Sequence, residues 1–106
     1  MDIVFKALAD QTRRSMLDRL FERDGQNLGA LVTGLNMSRQ AVSKHLGILI
    51  RAGLVVVDWK GREKRHYLNA VPIREIHDRW VSRYAQRPAA ALVALKKRLE
   101  EQSGNE

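Results

Sequence analysis

The chain has 106 residues, 44% of them hydrophobic and 29% charged, a balance that suits one folded domain and argues against disorder along most of its length. It contains no cysteine, which excludes disulfides, thiolate metal sites and thiol redox switches. The net charge is +7, and its distribution favours a polyanionic partner: between Arg39 and His66 the cations Arg39, Lys44, Arg51, Lys60, Arg62, Lys64 and Arg65 face only Asp58 and Glu63. Anionic membrane surfaces also attract basic patches, so charge alone does not decide the partner. No apolar run approaches the roughly 20 residues needed to span a bilayer, and the N-terminus lacks a long apolar core before a cleavage site. The expected location is cytoplasmic, with no membrane association.

Ile3 to Leu8 reads as a short helix, followed by a cap at Asp10. From Gln11 to about Arg23, Met16, Leu17, Leu20 and Phe21 share one face, while Arg13, Arg14, Asp18 and Glu22 lie elsewhere, which predicts an amphipathic second helix. Asp24 and Gly25 end it. Asn27 is placed to cap a third helix with the seam Leu28, Leu31, Val32 and Leu35, closed by Gly34 and Asn36 after about two turns.

A tight connection through Met37 then leads to Ser38, a suitable N-cap for the most informative run of the chain, SRQAVSKHLGILIRAGL. Its apolar positions Val42, Leu46, Leu49 and Gly53 form a buried helical seam. The opposite stripe is Arg39, Gln40, Ser43, Lys44, Gly47 and Arg51, residue types that reach base edges or phosphates, with no carboxylate among them to repel a polyanion. An ordinary solvated helix face accounts for the stripe equally well when it is taken alone. The short turn from the preceding helix makes the pair a helix-turn-helix.

After Gly53 the pattern becomes extended: LVVVDW, a KG turn and the return REKRHYL predict a β-hairpin. A hairpin directly after a recognition helix is a wing, with Lys60, Arg62, Lys64 and Arg65 near its tip as candidate phosphate or minor-groove contacts. Tyr67 and the valines are assigned to anchoring the hairpin on the core. Trp59, near the turn, is left either exposed or capping the hydrophobic face.

From Pro72 the seam Ile73, Ile76, Trp80, Tyr84, Leu92, Leu95 and Leu99 keeps helical steps except across the gap that holds Pro88. This predicts a long terminal helix over about 72–101, kinked or broken near Pro88. It exceeds what a compact winged domain needs for its own core. A second subunit therefore becomes the expected cover, with an intramolecular fold-back as the alternative. Residues 1–102 are read as one domain and 103–106 as a frayed tail.

The order of ADQTRRSMLDRL, SRQAVSKHLGILIRAGLV, the GREKRHYL hairpin return and a long last helix resembles the ArsR/SmtB family of winged helix-turn-helix repressors, from Val4 to about Leu99. The specific parts are TRRSML at 12–17, the SxxxVSxHLxxLxxAGLV pattern from Ser38 to Val55 and the GRxxxYxL pattern from Gly61 to Leu68. The resemblance implies a mainly α fold with a two-stranded wing (α+β) and about five helices. It also implies a homodimer that binds an imperfect palindrome in double-stranded DNA and blocks transcription; many members of the family leave DNA when a ligand binds, which leaves room for a small-molecule effector of unknown identity.

Carried over residue by residue, the resemblance puts Ser38, Arg39, Gln40, Ser43 and Lys44 in the recognition helix. Arg39 and Lys44 would face guanine, Gln40 adenine, and Ser43 a phosphate or base edge. Arg62 and Arg65 correspond to wing cations. The dimer-forming first and last helices contribute Val4, Leu8, Ile76, Trp80, Tyr84, Leu92 and Leu95. His45 matches the family histidine but borders the buried seam, so a structural hydrogen bond and a DNA contact both stay open.

The chain also departs from the family. The third-helix segment NLGALVTGL lacks the cysteines of the arsenite and soft-metal sensors. Glu75 and His77 reproduce half of a zinc pair, but the positions eleven and fourteen beyond His77 are Pro88 and Ala91, which carry no ligating group. Gln11 stands where relatives often place proline to start the second helix. No metal and no cofactor is expected. Catalysis is not expected either: His45, His66 and His77 fall in three different elements, and no phosphate loop or nucleophile motif appears. The competing reading is a winged-helix module that binds a protein or RNA partner.

Overall fold

The computed structural model describes residues 1–85 and 89–104, which divide into two compact units, Met1–Ile73 and Arg74–Glu106. In the first, α1 (Asp2–Leu8), α2 (Gln11–Glu22), α3 (Leu28–Val32) and α4 (Arg39–Arg51) precede the antiparallel strands β1 (Val55–Lys60) and β2 (Glu63–Leu68). This is a winged helix-turn-helix of mainly helical α+β class, as the order of sequence patterns predicts.

Each helix start has a local cause. The side chains of Asp10, Asn27 and Ser38 accept the backbone N–H of Arg13, Ala30 and Ala41 at 3.0, 2.8 and 3.1 Å, so three successive helices have the side-chain N-caps that their sequences offer. Apolar spacing then selects the buried faces: Met16, Leu17 and Leu20 from α2, Leu31 from α3, and Val42, Leu46 and Leu49 from α4, joined by Val4, Ala7, Leu54 and Val55.

Phe21 departs from the expected seam and is 80% exposed. At about 100° per residue it lies roughly 40° past Leu17, beyond the arc that the neighbouring elements cover. The third helix is also shorter than the sequence pattern suggests, ending at Val32 with Thr33 extended. The guanidinium of Arg19 donates to the carbonyls of Leu31 and Ala30 at 2.7 and 2.9 Å and closes the C-terminus early.

The wing pairs Val55 with Leu68 through to Lys60 with Glu63, leaving Gly61 and Arg62 as a two-residue turn. Gly61 has φ +62° and Arg62 does not have positive φ, the pattern of a type II′ hairpin turn with glycine first. Alternation decides the valines: Val55 is buried, Val57 half-buried and Val56 exposed. Tyr67 is half-buried, with its ring against the backbone of Gly25, so it anchors the hairpin as expected. Trp59 is exposed.

The C-terminal stretch is not the uniform helix that the seam suggests. α5 (Val71–Ile76) passes into a π-helical turn, His77–Val81, and then into α6 (Ser82–Ala85). The expected kink or break at Pro88 lies outside the described residues. α7 (Ala89–Gly104) follows and extends past the expected end near residue 101. Within the second unit Ile76, Trp80 and Ser82 are half-buried, and the other described side chains are exposed.

Candidate nucleic-acid interface

The helical period that buries Val42, Leu46 and Leu49 turns Arg39, Gln40, Ser43, Lys44 and Arg51 to the opposite side of α4, where all five are exposed. With Ser38, Ala41, Gly47 and Leu28 they line an open groove of about 990 Å³. No carboxylate lines it. Gly47 contributes no side chain to the groove; a Cβ there would stand 3.4 Å from Arg51 Nη1. Ser38 is also exposed; its hydroxyl oxygen accepts the Ala41 N–H, and its O–H and second lone pair remain for a ligand.

A second depression, about 540 Å³, lies between α3, α4 and the hairpin. Arg39 and Ser43 line it as well as the first, together with Arg62, Lys64 and, between them in the chain, the carboxylate of Glu63. The structure therefore brings two recognition-helix residues and two wing cations around one concavity, a juxtaposition that spacing along the chain does not determine. Lys60 is exposed but lines neither depression.

The wing is tied to the α2–α3 connection by backbone bonds between Gly25 or Gln26 and His66 and by Asp24, whose Oδ1 accepts the Leu68 N–H at 2.8 Å, and to Asn27 at the start of α3 by the carboxylate of Glu63. Glu63 accepts hydrogen bonds from Asn27 Nδ2 and from Arg65 Nε, the latter at 3.0 Å, with Arg65 Nη2 also 3.0 Å away. The Asn27 amide first, and the Arg65 guanidinium second, hold the Glu63 carboxyl below the usual carboxylate range. Arg65 is thus engaged with Glu63, whereas Arg62 and Lys64 are exposed. Asn27 serves twice, since its Oδ1 caps α3 while its amide hydrogens reach the wing. Its capping role is visible in the sequence; the tether depends on β2 arriving beside α3, for which no local signal exists.

His45 is turned away from the groove. Its side chain is 21% exposed, with Nδ1 3.2 Å from Arg13 Nη1 and 3.9 Å from Asp10 Oδ2. Arg13, read from the sequence as lying off the buried face, is half-buried and donates to the carbonyls of Ala7 and Lys6 at 2.8 and 3.0 Å. Asp10 sits below its ordinary value chiefly because its carboxylate accepts the Arg13 N–H.

Among the residues assigned to a dimer face, Val4 is buried in the core of the first unit and Leu8 is half-buried, while the exposed apolar side chains of α1 are Ile3 and Phe5. In the second unit Ile76 and Trp80 are half-buried, and Tyr84, Leu92 and Leu95 are exposed. The guanidinium of Arg79 lies 5.2 Å from the Trp80 ring centroid. His77 Nδ1 is 3.4 Å from its neighbour Asp78. Among the described residues no group of three or more His, Asp or Glu side chains is placed to hold a metal ion, and no helix is long and apolar enough to cross a membrane.

A family model described as a helix-turn-helix domain matches residues 8–58, which hold α2 to α4 and most of β1. The chain is 38% identical over 86 residues to the uncharacterized HTH-type transcriptional regulator YuzN of Bacillus subtilis (strain 168), covering 76% of this chain and 94% of that protein. It is 35% identical over 75 residues to the transcriptional repressor SdpR of the same organism, covering 71% and 82%. Among solved structures, an ArsR-like transcriptional regulator from Rhodococcus sp. RHA1 superimposes with a TM-score of 0.72 at 35% identity, over 94% of this chain and 90% of that one. With the exposed cationic helix, the wing beside it and these relatives in agreement, the chain belongs to the ArsR/SmtB-like winged helix-turn-helix transcriptional regulators.

Proposed function

We propose that the protein is a homodimeric transcriptional repressor that reads a palindromic operator, each subunit placing α4 in a major groove and its wing on flanking DNA. The observation that carries this reading is the acid-free groove of α4, which shares Arg39 and Ser43 with a second depression where the wing cations Arg62 and Lys64 accompany Glu63, itself paired with Arg65. In a major groove Arg39 and Lys44 can donate to guanine and Gln40 can pair with adenine, while wing cations meet phosphates whatever the sequence. The naming of SdpR as a transcriptional repressor supports repression as the direction of control.

Dimerisation supplies the two-fold symmetry. The exposed apolar side chains of Ile3 and Phe5 on α1, and of Tyr84, Leu92 and Leu95 in the second unit, support burial against a second copy. In this reading residues 1–102 work as one cytoplasmic DNA-binding domain.

The test is the salt dependence of duplex binding. A steep fall in affinity between 50 and 200 mM salt, about 10³-fold or more, is expected from a dimer that neutralises at least six or so phosphates. Arg62→Ala should weaken binding to all duplexes about equally and reduce the slope by about one per subunit, whereas Gln40→Ala should relax preference at one base position. A flat slope, or absence of duplex binding, favours a winged-helix module that binds a protein or RNA partner instead.

A further inference from the structure

Arg13 holds three parts of the first unit together. Its Nε and Nη2 donate to the carbonyls of Ala7 and Lys6, the last turn of α1, at 2.8 and 3.0 Å, and Arg14 adds Nη1 to Leu8 at 2.7 Å. Its remaining arm, Nη1, lies 3.2 Å from Nδ1 of His45 on α4. A guanidinium has five N–H donors and no acceptor, so His45 Nδ1 must be the acceptor. With Nδ1 accepting from the guanidinium, the N–H of the ring lies at Nε2.

The place of this contact gives it a function. His45 directly follows Ser43 and Lys44, the C-terminal half of the reading stripe, yet its own side chain points to α2. The seam Val42, Leu46 and Leu49 holds α4 by apolar burial, which is non-directional. The bond from Arg13 is directional and comes from a group fixed by two other carbonyls. It therefore adds a directional restraint on the rotation and axial position of α4 next to Ser43 and Lys44, of the kind that a recognition constellation needs.

We infer that Arg13 and His45 are positioning residues for DNA reading: neither touches DNA, and together they fix the recognition helix against the C-terminal end of α1. The inference rests on the proposed role of α4 in the major groove. It gives His45 a role that requires a hydrogen-bond acceptor at Nδ1 and no proton there.

The discriminating experiment uses the full-length protein and a duplex obtained by unbiased selection with the wild type. His45→Phe keeps a planar ring without the acceptor, His45→Asn puts a carbonyl oxygen where Nδ1 stands, and Arg13→Lys keeps the charge but loses the fork. His45→Phe and Arg13→Lys should each weaken binding about tenfold, His45→Asn should stay within about threefold of wild type, and Arg13→Lys with His45→Phe should be no weaker than the worse single variant. All of them should retain the wild-type ranking of duplexes in a repeated selection. Should His45→Phe not fold, as judged by circular dichroism, Arg13→Lys against His45→Asn decides the matter.

Wild-type affinity in Arg13→Lys, no rescue by His45→Asn, or a changed base preference in any of them overturns the inference; the last result would make His45 a reading residue. A wild type that binds no duplex overturns the functional reading itself, so the two failures are distinct.

Discussion

The two units of this protein solve the problem of burial in opposite ways. In Met1–Ile73 four helices and a hairpin enclose fully buried Met16, Leu20, Leu31, Val42, Leu49 and Leu54, and polar side chains of Arg13, Arg19, Gln26 and Asn27 close helix ends or bridge elements. In Arg74–Glu106 no described side chain is fully buried, and Tyr84, Leu92, Val93, Leu95 and Leu99 present apolar surface. A helical stretch of that length has too little apolar burial of its own to offset the entropy of ordering it. The contrast teaches that reading DNA is built on a self-sufficient core, whereas the C-terminal helices depend on cover from another surface, which the proposed function assigns to a second copy.

The strongest way to break that contrast is to truncate one leucine in each unit. Leu49→Ala removes a completely buried side chain and should cost about 2–5 kcal/mol in urea denaturation. Leu95→Ala, at a residue 42% exposed, should cost less than about 1 kcal/mol in dilute protein while weakening self-association in sedimentation. Equal costs at the two positions would show that the second unit has an intrachain core after all.

A smaller effect is expected at the joint inside the first unit. Asn27→Ala removes the cap of α3 and the tether to Glu63 together and should lower stability by about 1–2 kcal/mol. Amide exchange should accelerate in β1 and β2 more than in α2. Uniform acceleration across the unit would mean that Asn27 supports the core as a whole and not the wing in particular.

The smallest effect concerns acidity. Because Asn27 and Arg65 depress the folded value of Glu63, its carboxylate contributes stability that is fully present above the ordinary unfolded value, about 4.3, and is lost as pH falls through the lower folded value. The difference in melting temperature between wild type and Glu63→Gln should therefore be constant near neutrality and shrink in acid below the usual carboxylate range. A difference that persists unchanged in strong acid would assign the contribution to packing.

Much of the fold was legible because it follows from local physics. The caps at Asp10, Asn27 and Ser38 lie where small polar side chains meet the start of apolar periodicity, and the seam of α4 follows from its period. Phe21 was not legible in this way, since periodicity orders residues around a helix without stating how wide an arc the neighbours cover. Nor was the early end of α3, where Arg19 reaches its carbonyls from α2. The π-helical turn at His77–Val81 has no counterpart in the seam through Ile76, Trp80 and Tyr84, whose steps of four suit an unbroken α-helix.

The candidate site divides along the same line. That Arg39, Gln40, Ser43, Lys44 and Arg51 share one exposed stripe is fixed by the 3.6-residue period once Val42, Leu46 and Leu49 are buried, and the sequence alone contains both facts. Which wing cations join them was decided by tertiary structure: Glu63 engages Arg65, while Arg62 and Lys64 remain beside Arg39 and Ser43. The orientation of His45 was decided in the same way, by a guanidinium 32 positions earlier in the chain. Short-range periodicity and capping act through bonds and steps within a few residues, so they can be read along the chain. Hydrogen bonds and ion pairs between distant side chains exist only after packing has brought them together.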